Sequence, residues 1–211
     1  MKPCDTADTV VVLDFETTGL SPDYGDRAIE IGAVKVHQGE IVEEFQQLMN
    51  PGVKINAFIE NYTGITNTML ASAPPVKEVM LAFYEFINGY NLVAHNASFD
   101  ARFLQAELKR VKRQQLPEFA CSMLVARRVY QQAPNHKLGT LVEYLQLPTD
   151  GTFHRALADA RMTSSLWLAM MHEIKVQHSF NEVPFQLMQK LSRISKKATN
   201  NFLAKAAVST D

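Results

Sequence analysis

The run Val10-Val11-Val12-Leu13, followed at once by Asp14-Phe15-Glu16, constrains the fold more than any other stretch of this chain. Four consecutive apolar residues without polar alternation read as a strand covered on both faces, the pattern of a central strand between helices. Side chains two apart on a strand share a face, so Asp14 and Glu16 emerge side by side where the apolar run ends. Two carboxylates held that close repel each other unless a cation lies between them. The spacing asks for a metal ion.

The remaining sequence supplies a frame for that strand. Residues 28–36 and 41–49 read as two more strands, joined by His37-Gln38-Gly39-Glu40 into an antiparallel hairpin. In the first of them Ile29, Ile31 and Ala33 alternate with Glu30 and Gly32, which predicts a half-buried strand. After Pro74-Pro75, the positions Val76, Val79, Met80, Phe83, Phe86 and Ile87 follow helical spacing. Leu92-Val93-Ala94 is a short buried strand that delivers His95-Asn96, and Asp100 opens the next helix, with Phe103, Leu104, Leu108 and Val111 on its apolar side. Leu138, Leu141, Val142 and Leu145 predict a short amphipathic helix, and a long helix runs from about residue 156 to 174. A hairpin followed by alternating helices and strands predicts an α/β fold, a mixed central sheet flanked by helices.

At 211 residues, 46% of them hydrophobic, the chain suits one large domain. We divide it into an N-terminal tail (1–8), a single domain (9–175) and a basic amphipathic helical appendage (176–211). From Pro184 onward Lys190, Arg193, Lys196, Lys197 and Lys205 meet only Asp211, and Phe185, Met188, Leu191 and Ile194 form a stripe that suits its own core or a partner. The formal charge of −1 gives no global basic signature, but a nucleic-acid enzyme needs only a local basic rim. Cys4 and Cys121 supply neither a disulfide framework nor a zinc cluster. The first residues lack the apolar core of a signal peptide, and no apolar run approaches membrane-spanning length, so a cytoplasmic, membrane-free setting is expected.

Three more polar residues belong with Asp14 and Glu16. Taken singly, Asp100 reads as a helix cap, and any lone Asp at an element's end is most simply a cap or turn former. Asp159 is harder to dismiss, because Ala156, Ala158 and Ala160 let its stretch of helix lie close against a neighbour. His154 lies five residues before it, about 140° around a helix, so the two do not share a face of one continuous helix. We therefore place His154 in the loop or first turn beyond Gly151-Thr152, leaning over the acids. A mobile imidazole with an ordinary pKa of ~6.5 suits a general base. Four carboxylates without cysteine suit Mg²⁺ or Mn²⁺, and two such ions can hold the attacking and leaving oxygens of a phosphoryl displacement. With His154 taking the proton from water, the reaction expected is hydrolysis of a phosphodiester.

The contexts are also recognisable. Val12-Leu13-Asp14-Phe15-Glu16-Thr17-Thr18-Gly19-Leu20 resembles the first motif of the DEDD exonuclease superfamily, His95-Asn96-Ala97-Ser98-Phe99-Asp100 the second, and His154-Arg155-Ala156-Leu157-Ala158-Asp159 the third, in the histidine-bearing DEDDh branch. Three motifs in order form a specific signal where a lone Asp-x-Glu would not. The resemblance, which covers about residues 9–174, implies an RNase H-like fold with helices on both faces and 3′→5′ release of nucleoside 5′-monophosphates. It implies that Asp14 bridges two divalent metal ions, that Glu16 and Asp159 hold the one nearer the water, and that Asp100 supports the other. It further implies that Thr17, Thr18 and Gly19 meet the terminal sugar, that Leu20 and Ile65 pack on the last bases, and that His95 and Asn96 contact phosphate or brace the site. A strand-terminating turn at Thr17-Thr18-Gly19 and a core position for Leu20 and Ile65 are equally good readings of those residues. The partner expected is a single-stranded 3′ end, DNA favoured over RNA, with a polymerase or sliding clamp as a further partner. An RNA exonuclease uses the same five residues, whereas a degenerate binding module predicts a missing one, and none is missing.

Overall fold

The computed structural model describes residues 5–113, 116–149, 151 and 154–208. Cys4, Thr152, Asp211 and the first half of the expected N-terminal tail lie outside that set.

The apolar run becomes β1 (Val10–Thr17), the middle strand of five. β2 (Ala28–His37) and β3 (Glu40–Leu48) form the expected hairpin, with both central turn residues in the left-handed region, Gln38 at φ 52° and Gly39 at φ 85°. That is the backbone of a two-residue type I′ turn, whose twist matches that of the strands it joins. β1 pairs β2 antiparallel from Val10 to Thr17, but pairs β4 (Asn91–Ala94) in parallel only at Val10, Val11 and Val12. β5 (Phe119–Cys121) adds to β4 and completes the order β3-β2-β1-β4-β5. Three residues are too few for a periodic signal, and the sequence reading did not find this strand.

Helices cover both faces. After α1 (Ala57–Thr63) and α2 (Asn67–Ala71), α3 (Val76–Phe86) and α4 (Ser98–Arg110) pack over Val11, Leu13 and Phe15. On the other face α5 (Ser122–Val129), α6 (Leu138–Tyr144) and α7 (Ala156–His178) cover Val10 and Val12. β1 therefore feeds two cores with alternate side chains, which is why its sequence shows no polar alternation. The fold is the mixed sheet between helices that the sequence predicts.

β2 departs from expectation. Glu30 and Gly32 face no solvent, because the N-terminus of α7 sits on them. A Cβ on Gly32 would lie 2.0 Å from the Leu157 nitrogen and 2.1 Å from the Ala156 carbonyl carbon. Glu30 is fully buried, and accepts from Arg155 Nε and Nη2 at 3.1 and 2.8 Å and from the Ala156 N–H at 3.2 Å. What reads as a half-open face is the seat of a helix.

The segment after Pro184 packs against the domain through its apolar stripe. It forms α8 (Phe185–Arg193) and α9 (Thr199–Val208), and α8 buries Phe185, Leu187, Met188 and Leu191 in the same core as Trp167. Residues 5–8 are tied to it, with the Ala7 N–H donating to Val183, the Phe185 N–H to Asp5, and Trp167 Nε1 to the Ala7 carbonyl at 2.7 Å. Among the described residues no helix is long and apolar enough to cross a membrane.

Candidate active site

Where β4 stops pairing, the edge of β1 opens, and α4 fills the gap. The Phe15 N–H, left without a ladder partner on that side, donates to Asp100 Oδ1 at 3.2 Å. Asp100 is buried in the first turn of α4. On the opposite face of β1, Asp14 and Glu16 meet Asp159 from the first turn of α7, and the three side chains offer oxygens all within 4.8 Å of one another. Gly32 is the cross-strand partner of Asp14, so its missing side chain is what lets α7 bring Asp159 this close.

The acids strain one another electrostatically. Burial, then the charges of Asp100, Glu16, Asp159 and Glu30, hold Asp14 well above the usual carboxylate range, although it keeps a partly open face toward the cleft. Burial likewise pushes Glu16 up to about 8, with Asp159, Glu30 and Asp100 adding to it and Arg155 opposing. Burial lifts Asp100 to about 7 against its hydrogen bond from Phe15. Asp159 is raised by burial, and the charge of His154 opposes that shift. Such a cluster is ionised at neutral pH only at a cost in stability, and an all-oxygen donor set fits a hard divalent cation that would remove the cost.

One prediction follows directly. A carboxyl whose folded pKa is raised stabilises the fold fully below its unfolded pKa, and that contribution is lost as pH rises through the folded value. For Glu16 the window runs from the ordinary carboxylate range to about 8. In chelator the melting temperature should therefore fall between pH 5 and 8. At pH 8, Mg²⁺ or Mn²⁺ at a hundredfold excess over Kd should restore about 2.7 kcal/mol, roughly 5–10 °C. A melting curve insensitive to both pH and metal would remove the cation from this site.

His154 stands exposed in the loop ahead of α7, at φ 60°, with its N–H donating to Asp159 Oδ2 at 3.0 Å. Its ring lies on that of Tyr62, centroids 4.0 Å apart, and Tyr62 stacks on Phe58 at 5.8 Å and an 11° tilt. The sequence reading missed both aromatic residues. The signal available was two aromatic residues four apart, one helical turn, just before the Gly64 that ends α1.

The other expected residues divide. Leu20 is 80% exposed beside the acids' strand, free to meet a ligand. Ile65 has no exposed surface and packs with Ile29, Ile55 and Leu70, so its reading as a base contact gives way to the core. Thr17 and Thr18 are used within their own turn, donating to the Gly19 carbonyl at 2.6 Å and to Asp26 at 3.2 Å, and a Cβ on Gly19 would strike the Asp26 carboxylate at 2.4 Å. His95 braces the floor, its Nε2 donating to the His136 carbonyl at 3.0 Å and its Nδ1 facing the Ser122 hydroxyl at 2.9 Å, and burial drives it down to about 4, which keeps it neutral. Asn96 is exposed at φ 67°, turning the chain from β4 into α4.

Comparisons with known proteins place the chain in a family and a fold. The family model described as Exonuclease (RNase_T) matches residues 11–166. A DNA polymerase III PolC-type from Caldanaerobacter subterraneus subsp. tengcongensis is 38% identical over 165 residues, covering 78% of this chain and 12% of the relative. The 3′-5′ exonuclease DinG of Bacillus subtilis is 36% identical over 190 residues, 88% of this chain and 19% of that protein. The chain thus spans less than a fifth of either relative's length. Among solved structures, Exonuclease X in complex with 5′ overhanging duplex DNA superposes with a TM-score of 0.66 at 26% identity, covering 87% of this chain and 99% of that one. The nuclease domain of 3′hExo, a DEDDh family member bound to rAMP, shares the fold with a TM-score of 0.68 at 21% identity over 79% of this chain and 92% of that one.

Proposed function

This chain belongs to the exonuclease family, and on that premise we propose that it is a 3′–5′ hydrolase of the DEDDh branch that shortens single-stranded DNA from the 3′ end with two divalent ions, releasing nucleoside 5′-monophosphates. The observation that carries the reading is the convergence of Asp14, Glu16 and Asp159, with His154 above them and Asp100 behind.

Asp14, Glu16 and Asp159 would hold the ions, with Asp100 beside Asp14, and the bound cations would supply Lewis-acid charge at the phosphoryl group and a more acidic water. The chain's own residues do the rest. His154 accepts the proton of the attacking water, and the Asp159 carboxylate, bonded to the His154 N–H, fixes the loop that presents it. Tyr62 gives the imidazole a flat surface to rest on. Leu20, open to solvent after the Thr17–Gly19 turn, meets the terminal nucleotide, and Thr17 and Thr18 hold that turn in shape. DNA as substrate is supported by the PolC-type and Exonuclease X relatives, and polymerase association by the former.

His154→Ala should lower kcat by about 10²–10⁴, the share of a general base, with metal affinity largely kept. Retention of the full rate would end that role. The reaction itself is tested with 5′-labelled DNA and RNA oligonucleotides of one sequence, in Mg²⁺, in Mn²⁺ and in chelator. Stepwise, metal-dependent shortening with DNA faster supports the proposal. Faster RNA turnover would move the substrate to RNA, and no shortening by folded protein in either metal would overturn the exonuclease reading for this chain.

A further inference from the structure

Outside the acid cluster, the outer side of α4 has a feature that the chemistry above does not use. Between residues 102 and 113 stand Arg102, Lys109, Arg110, Lys112 and Arg113, against a single acid, Glu107. Glu107 is buried and already held by Arg27 at 2.8 Å and Arg110 at 3.1 Å, so the stretch presents positive charge outward. Arg113 turns aside onto the Tyr84 ring. Arg102 and Lys109, seven residues apart, fall on one face of the helix with Gln105 and Ala106 between them.

That face is not a flat solvated surface. It forms one wall of a groove of about 520 Å³ whose other wall is Pro22 and the acid Asp23, the first two residues of the 3₁₀ turn Pro22–Tyr24. The turn follows directly on Leu20, and Tyr24 is 93% exposed at its end. α4 itself begins at the acid cluster with Asp100, so Lys109 and Arg110 lie about 14–15 Å further along its axis. The groove thus starts beside the residue proposed to meet the terminal nucleotide and leads away from the metal ligands.

We propose that this groove is the track for the sugar-phosphate backbone of the strand upstream of its 3′ end, with Arg102 and Lys109 as phosphate contacts and Tyr24 as a stacking surface for an unpaired base. The proposal rests on the exonuclease reading only for the strand's direction. A charged rim of this kind adds affinity that does not depend on sequence and falls with salt, while exposed aromatic faces hold bases without reading them. It also places a local basic surface on a chain whose formal charge is −1.

The test compares parent and Arg102→Gln/Lys109→Gln proteins for binding a 20-nucleotide and a 3-nucleotide oligothymidylate in chelator, across a salt series. The double variant should bind the 20-mer about tenfold more weakly. Its slope of log affinity against log salt should be shallower by about 1.4, two single-strand phosphate contacts. Affinity for the trimer, which reaches less of the track, should fall by a smaller factor and with a smaller change of slope. Metal is then added to the parent to follow trimer hydrolysis. Arg102→Gln alone should give about half the slope change, and equal melting temperatures exclude a folding defect. Unchanged 20-mer affinity and slope would overturn the track and leave the groove to a protein partner or to solvent. Failure of the parent to hydrolyse the trimer would count against the exonuclease reading alone, since the binding measurement needs no turnover.

Discussion

Asp14→Asn is expected to cut turnover by on the order of 10⁴ or more while making the metal-free protein more heat-stable. The loss follows from position: Asp14 shares the 4.8 Å cluster with Glu16 and Asp159 and feels the charge of Asp100 more than that of any other neighbour. Removing a ligand at that point forfeits several kcal/mol of transition-state charge stabilisation, and each 1.36 kcal/mol is about tenfold in rate. The gain in stability has the same origin. Asp14 is pushed up by burial and by four carboxylates, and an amide of equal size removes its share of that repulsion. Paired assays check both halves, initial rates on a labelled oligonucleotide and melting temperature at pH 8 in chelator. More than a few per cent of parent activity would show that Asp14 is no essential ligand, and a lower metal-free melting temperature would show that the acids are not in conflict.

The second large effect comes from a residue with no side chain. Gly32→Ala should destabilise the protein by on the order of 3 kcal/mol and lower kcat by about 10²-fold even in the fraction that folds. The added methyl meets backbone, the Leu157 nitrogen and the Ala156 carbonyl carbon, not the flexible end of a side chain. α7 must therefore move off the sheet, and overpacking of that kind costs about 1–3 kcal/mol or more. The same movement carries Asp159 away from Asp14, and a displacement near 1 Å at a reacting centre is enough for about 10² in rate. Denaturant unfolding and single-turnover kinetics separate the two losses. A variant with parent stability would mean that α7 does not rest on β2 as closely as it does here.

Which parts of this were legible in the sequence depends on how local the determinant is. The shared face of Asp14 and Glu16 needs only the two-residue period of a strand, and the place of His154 ahead of α7 needs only the angle between residues five apart. Ala156, Ala158 and Ala160 announced a close approach, but the partner surface at Gly32 is far away in sequence, and no period could name it. Glu30 was misread for the same reason. Its alternation with Ile29 and Ile31 looks like a solvated face until Arg155, 125 residues later, is brought to it. The stripe of Phe185, Met188 and Leu191 left own core and partner equally open, and packing chose the core. Tyr62 and Phe58 gave too short a pattern to distinguish a surface aromatic pair from a helix turned inward. The cations of α4 vanished in a formal charge summed over the whole chain.

β1 leaves its parallel partner after Val12, and Asp14 and Glu16, beyond that point, lend the antiparallel ladder with β2 only their backbones and keep their side chains for the site. Architecture and chemistry are consequently written in different atoms. A descendant of this sequence could trade a carboxylate for an amide and keep every strand pairing and both cores, so its silhouette would be that of an active enzyme. Shape alone therefore cannot count catalysts among chains built this way, and an inventory of them has to be taken at the side chains.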